Sequence, residues 1–225
     1  MSTRARQVRG GGRAVEVQPE RLAGWFERFA ERNDGATGTR YTSAEVVVTA
    51  GNGATATVAV PFPPLAADGA LAGLDVGPLV AHAATPRRIG LLLVRLGGHS
   101  VGIAEHGNVV LSRTDRHLVH GRSAAGGWSQ QRFARRRAGQ ARQALRAAAD
   151  DAAEVLLPRL SELDGVVLGG DRRALDDLGA DTRLAPLFAL ATPRVLDIAE
   201  PRRSVLDEAA ERARAVEIVV RDREQ

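Results

Sequence analysis

Hydrophobic positions along the chain change their spacing several times, and each change marks an element. Arg13–Val17 alternates apolar and polar residues, which predicts a short strand. From Pro19 to about Asn33 the spacing is helical, with Leu22, Trp25, Phe26 and Phe29 on one core-facing side. Asn33-Asp34-Gly35 stops that helix. Glu45–Ala50 and Ala54–Val60 are β-rich runs around Gly51-Asn52-Gly53, the pattern of a hairpin. Pro61-Phe62-Pro63-Pro64 ends the second strand, and residues 61–88 read as a long connection with one short helix over Gly77–Ala83.

Ile89–Leu96 is an apolar run broken only by Arg95 near its end, as suits a central strand buried on both faces. Gly97-Gly98 and Gly107-Asn108 turn it into Ser100–Glu105 and then Val109–Arg113, a meander that residues 114–121 extend. A small-residue loop follows, Ser123-Ala124-Ala125-Gly126-Gly127, and runs directly into the longest helical pattern, about Gln130–Leu157. Its stripe is Ala134, Ala138, Ala141, Leu145, Ala148, Ala152 and Val155, spaced by fours and threes. Beyond Pro158, Gly165–Leu168 and Thr192–Leu196 read as strands. Asp171–Leu178 and Arg203–Arg214 read as helices, and Ala215–Val220 as a closing strand. A meander followed by strand–helix alternation predicts an α+β, α/β-like fold: a mixed β-sheet flanked by helices. Residues 1–12 read as a disordered basic tail, and 13–225 as one domain with 13–44 as a strand–helix extension.

Composition narrows the chemistry. The 225 residues suffice to bury a core, and the absence of cysteine excludes disulfides and thiolate catalysis. That absence fits a reducing compartment, so a cytoplasmic location is expected. No apolar run reaches the length of about 18 residues that a membrane span needs, and the Arg- and Gly-rich N-terminus lacks the apolar segment of a secretory signal. All 31 basic residues are arginine, and the net charge is +4. Arginine stays charged to very high pH. The densest cluster lies in 132–146, where Arg132, Arg135, Arg136, Arg142 and Arg146 fall largely off the apolar stripe. Anionic partners such as RNA follow from that clustering.

Several familiar constellations are absent. Gly126-Gly127 before a helix lacks the lysine and spacing of a triphosphate loop, and no G-x-G-x-x-G occurs there. Gly169-Gly170-Asp171 reads as a tight turn. His82, His99, His106, His117 and His120 match no zinc spacing, so no metal and no cofactor are expected. Asp150-Asp151 and Asp176-Asp177 read as solvated helix faces, and Ser129 lacks the flanks of a nucleophile elbow. Gln130 and Gln131 remain. A carboxamide is a poor base and a poor nucleophile, but it can orient a water while nearby backbone N–H groups stabilise an oxyanion. Taken alone, two surface glutamines that simply open a helix are the plainer reading.

The neighbouring residues change that balance. Gly126-Gly127 followed by Arg132-Phe133-Ala134-Arg135-Arg136-Arg137 resembles the middle domain of eukaryotic and archaeal class I release factors. That family carries Gly-Gly-Gln, three residues, then Arg-Phe-Ala-Arg at the head of a long helix. Gly165-Val166-Val167-Leu168-Gly169-Gly170 is similar to its strand and glycine turn. Trp128 stands where the family has its catalytic glutamine, and the glutamines come two and three positions later. Such a displacement resembles the release-factor-like peptidyl-tRNA hydrolases of ribosome quality control, the Vms-type or VLRF branch, which has actinobacterial members. The resemblance implies an RNase H-like sheet and a chain that hydrolyses peptidyl-tRNA to release stalled nascent chains from the large ribosomal subunit. In that reading Gln130, or else Gln131, positions water. Gly126 and Gly127 let the loop enter a narrow site, and Trp128 stacks on a base or packs the loop root. Arg132, Arg135, Arg136, Arg137 and Arg142 meet ribosomal RNA or tRNA phosphates. A monomer needing no cofactor is expected. Cleavage of the tRNA acceptor end and a non-catalytic ribosome- or RNA-binding module remain the alternatives.

Overall fold

A computed structural model of the chain describes residues 5–8, 11–95, 98–116 and 128–223, leaving aside the side chains of residues 5, 116 and 128–138. In chain order the first elements are β1 (Ala5–Gln7), β2 (Arg13–Val17), α1 (Leu22–Glu31), β3 (Ala36–Tyr41), β4 (Glu45–Ala50), β5 (Thr55–Ala59), β6 (Gly69–Ala72) and α2 (Gly77–Ala84). There follow β7 (Arg88–Arg95), β8 (Gly98–Glu105), β9 (Asn108–Arg116) and α3 (Trp128–Leu156). The rest is β10 (Gly165–Gly170), α4 (Arg172–Gly179), α5 (Ala185–Ala189), β11 (Ala191–Leu196), α6 (Arg203–Arg214) and β12 (Val216–Arg221). The chain divides into two compact units, Met1–Pro86 with Arg214–Gln225, and Arg87–Ala213.

The first unit is a seven-stranded sheet in the order β1-β2-β12-β5-β4-β3-β6, antiparallel at every pairing. Its second and third strands in space, β2 and β12, come from opposite ends of the sequence, because β12 inserts between β2 and β5. Alternation dictates which residues go inside: Val46, Val48 and Ala50 of β4 are buried, as are Ala56 and Val58 of β5. Leu22, Phe26 and Phe29 of α1 complete this core together with Leu79 of α2. Trp25 packs against that core at its margin, stacked on Phe29 with centroids 5.7 Å apart.

The second unit is the mixed sheet that the pattern predicts. Its order is β11-β10-β7-β8-β9. β7, β10 and β11 run parallel, whereas β7, β8 and β9 form an antiparallel meander. A three-strand meander whose first strand also takes up parallel partners on its other side is an RNase H-like order. β7 is central, and Leu91, Leu92 and Leu93 are each fully buried, which accounts for its unbroken apolar run. Leu92 and Val94 face α3 and α4 in one core, together with Val101, Ile103, Val166 and Leu168. On the opposite face a side chain at Gly102 would meet Leu206 of α6 at 3.0 Å, so this helix covers the other side.

Candidate nucleic-acid interface

α3 is a helix for local reasons first. From Trp128 to Glu154 it contains no β-branched residue and is rich in Ala, Arg and Gln, the best helix formers. Its 29 residues then divide by burial. Ala148, Ala152 and Leu156 are fully buried on the sheet, flanked by Ala149 and Val155. Small residues at these positions let the helix lie close to β8. The predicted stripe thus holds at Ala148, Ala152 and Val155, while Ala149 and Leu156 widen it into a two-row face.

Polar groups lock the same half of the helix in place. His99 on β8, only 1% exposed, has its Nε2 2.8 Å from Asp151 Oδ2. The other carboxylate oxygen, Asp151 Oδ1, accepts from Arg113 of β9 at 3.0 Å, and Arg113 also donates to Glu154. These carboxylates, Glu154 foremost, hold the Arg113 guanidinium more firmly in its charged form. Beside it, Ser100 Oγ and Thr114 Oγ1 lie 3.0 Å apart across β8 and β9. Asp150 points the other way, to an exposed ion pair with Arg183 at 2.9 Å. Arg183 in turn holds the Asp181 carboxyl below the usual carboxylate range. The adjacent acids therefore play different parts. Asp150 is the solvated residue the sequence reading expects, whereas Asp151 turns inward to a buried histidine. The signal was present: Asp151 lies three residues after Ala148 and four before Val155, which puts it on the edge of the buried stripe.

The glutamine-bearing end has a different setting. The backbones of Trp128, Ser129, Gln130, Gln131, Arg132, Arg135, Arg136 and Arg137 all belong to α3. Gly126 and Gly127 lie outside the described residues. At 1.5 Å per residue, Gln130 stands about 27 Å along the axis from Ala148, the first fully buried position. Arg142 and Arg146, between these points, are exposed.

Below that segment a groove of about 440 Å³ opens between α3, α4 and the carboxyl end of β7. Val94, Ala144, Leu145 and Ala174 supply apolar lining, and Arg142 and Arg173 stand on opposite helices. Asp171 caps α4 by accepting from the Arg173 backbone N–H at 2.9 Å. Among the described residues no group of three or more histidine or acidic side chains could hold a metal, and no helix is long and apolar enough to cross a membrane.

The archaeal translation termination factor aRF1 matches at 13% identity over 89% of this chain and 63% of its own, with a TM-score of 0.42. A solved structure described as an archaeal protein matches at 14% identity over 72% of this chain and 48% of its own, with a TM-score of 0.39. For S. cerevisiae Dom34 the figures are 9%, 92% and 66%, with a TM-score of 0.34. The chain thus spans about half to two thirds of the length of these proteins. No curated protein matches it. A family model described as the Actinobacteria/chloroflexi VLRF1 release factor matches residues 87–219. That stretch, more than half of the chain, takes in the mixed sheet, α3 and the segment that carries both glutamines. This chain belongs to the acVLRF1 family of release factors.

Proposed function

We propose that this protein hydrolyses the ester of peptidyl-tRNA on the large ribosomal subunit, in the cytoplasm, and so releases stalled nascent chains. The Gln130 carboxamide positions the attacking water, with Gln131 as the second candidate. The water oxygen bonds to the ester carbon, the bond to the ribose oxygen breaks, and that oxygen leaves with a proton. A carboxamide cannot take up this proton at neutral pH, so hydroxyl groups of the RNA substrate carry it. Gly126 and Gly127, having no side chains, let the loop thread the narrow site, and Trp128 stacks on a base or packs the loop root. Arg132, Arg135, Arg136, Arg137 and Arg142 grip phosphates along the approach.

One observation carries this reading: the helix that begins at Trp128 has its far half fastened to the sheet by Ala148, Ala152, Leu156 and the His99–Asp151 bond. A rod about 27 Å long between anchor and amide suits delivery of a small group into a deep cleft. Membership of a release-factor family supports the same reading. The test is to incubate the protein with stalled peptidyl-tRNA on purified large subunits and map both products. Ester hydrolysis yields free peptide and a tRNA with its terminal adenosine intact. A shortened tRNA end would assign the chain to the acceptor-end nucleases instead.

A further inference from the structure

We propose that the groove between α3 and α4 binds one unstacked nucleotide of an RNA strand, base inward and phosphate outward. The inference rests on the reading of this chain as an RNA-directed factor but concerns a different place. Arg142 follows Gln130 by twelve residues, about 18 Å along the helix. The groove therefore holds a different nucleotide from the one whose ester faces the glutamines.

Size, lining and charge agree on the occupant. Its volume of about 440 Å³ lies within the range of about 300–1,000 Å³ typical of small-ligand sites. Val94, Ala144, Leu145 and Ala174 form a floor that suits the face of a base. Arg142 from α3 and Arg173 from α4 approach from opposite walls and are both exposed, so a phosphate between them meets two fixed cations. A third lining arginine, Arg95, already donates to the Ile198 carbonyl oxygen. Asp171 and Asp177 also line the groove. Two carboxylates would repel a lone phosphate, but they are acceptors for the N–H groups on a base edge. The site also lies beyond the carboxyl ends of the parallel strands β7 and β10, where sheets of this kind leave a crevice.

The test is anisotropy with a fluorescent RNA hexamer and an abasic hexamer of equal length and charge. Wild type should prefer the base-bearing strand about tenfold, the value of one favourable base contact. Ala144→Leu adds bulk to the floor without adding a stacking face and should erase that preference while leaving the abasic strand bound as before. Arg173→Glu alters only an exposed side chain and should weaken both strands. Equal binding of the two hexamers by wild type overturns the proposal without recourse to any variant. So does an Arg173→Glu protein that binds both strands as wild type does. Free AMP competing as strongly as the hexamer would overturn the RNA-borne source. Peptide release is scored separately. A wild type that releases peptide but ignores the base loses the groove alone, and one that prefers the base but releases no peptide loses the hydrolase reading alone.

Discussion

One substitution, glycine to alanine, should have opposite effects at two positions of the second unit. Gly170 ends β10 with φ +106°, a conformation that side chains rarely adopt. A Cβ there would lie 2.0 Å from the Val94 carbonyl oxygen, and that oxygen also accepts from the Asp171 N–H at 2.9 Å. Backbone strain of this kind costs about 1–3 kcal/mol. Relieving the clash pulls β10 from β7 and weakens a backbone bond that contributes roughly 1 kcal/mol. Gly170→Ala should therefore destabilise the protein by about 2–4 kcal/mol, a large part of a typical total of about 5–15 kcal/mol. Gly139 lies within α3, and a Cβ there would meet nothing within 4 Å. Gly139→Ala should stabilise by about 0.5–1 kcal/mol, because it removes freedom from the unfolded chain and favours the helix. Urea unfolding followed by circular dichroism measures both shifts. A Gly170→Ala protein that melts with wild type, or a Gly139→Ala protein that melts earlier, would refute this account of where the backbone is constrained.

Further outcomes follow from the same geometry. Tyr41, the single tyrosine, donates its hydroxyl to the Asp75 carbonyl; burial first, then Asp75, pushes it up to about 12. Its phenolate absorbance should appear near that value in the native protein and near the ordinary value of about 10 in urea. The folded pKa is the higher one, so this stability is complete below the unfolded value and is lost as pH rises through the folded one. A native midpoint near the ordinary value would show the hydroxyl to be free. Asp151→Ala removes the partner that faces His99 Nε2 and should cost about 1–3 kcal/mol in urea unfolding, whereas Asp150→Ala, which loses only an exposed pair, should cost under about 1 kcal/mol. Equal costs would contradict the inward turn of Asp151. If Arg135 and Arg136 meet phosphates, changing both to Gln should lower the log–log salt slope of single-stranded RNA binding by about 1.4. An unchanged slope would place those contacts elsewhere.

How much was legible depended on which force shaped each segment. Where burial imposed a period, the sequence sufficed. β7 betrayed itself by an unbroken apolar run, α1 by one aromatic face and α3 by its stripe. β3 and β6 stayed hidden. Ala36–Tyr41 mixes Gly and Thr with little alternation, and all four residues of β6 are exposed, so pairing with neighbours rather than burial makes them strands. The placement of β12 between β2 and β5 is equally silent, because nothing local records partners so distant in the sequence. At the candidate site the arginines and glutamines stood out by type and spacing. The His99–Asp151 bond did not, since a lone histidine in a strand and an acid in a helix meet only through tertiary packing. The groove at Ala144 and Ala174 was hidden for the same reason, being made of residues that look like ordinary helix surface.

The proposed hydrolysis depends on a carboxamide at the head of α3. Single-turnover peptide release from stalled peptidyl-tRNA on large subunits, compared among wild type, Gln130→Ala, Gln131→Ala and the double variant, tests it directly. We expect one single variant to slow release by on the order of 100-fold with subunit binding retained, and the double variant to be no better. Release at the wild-type rate from the double variant would contradict the claim and leave the arginine-rich helix as a binding element alone.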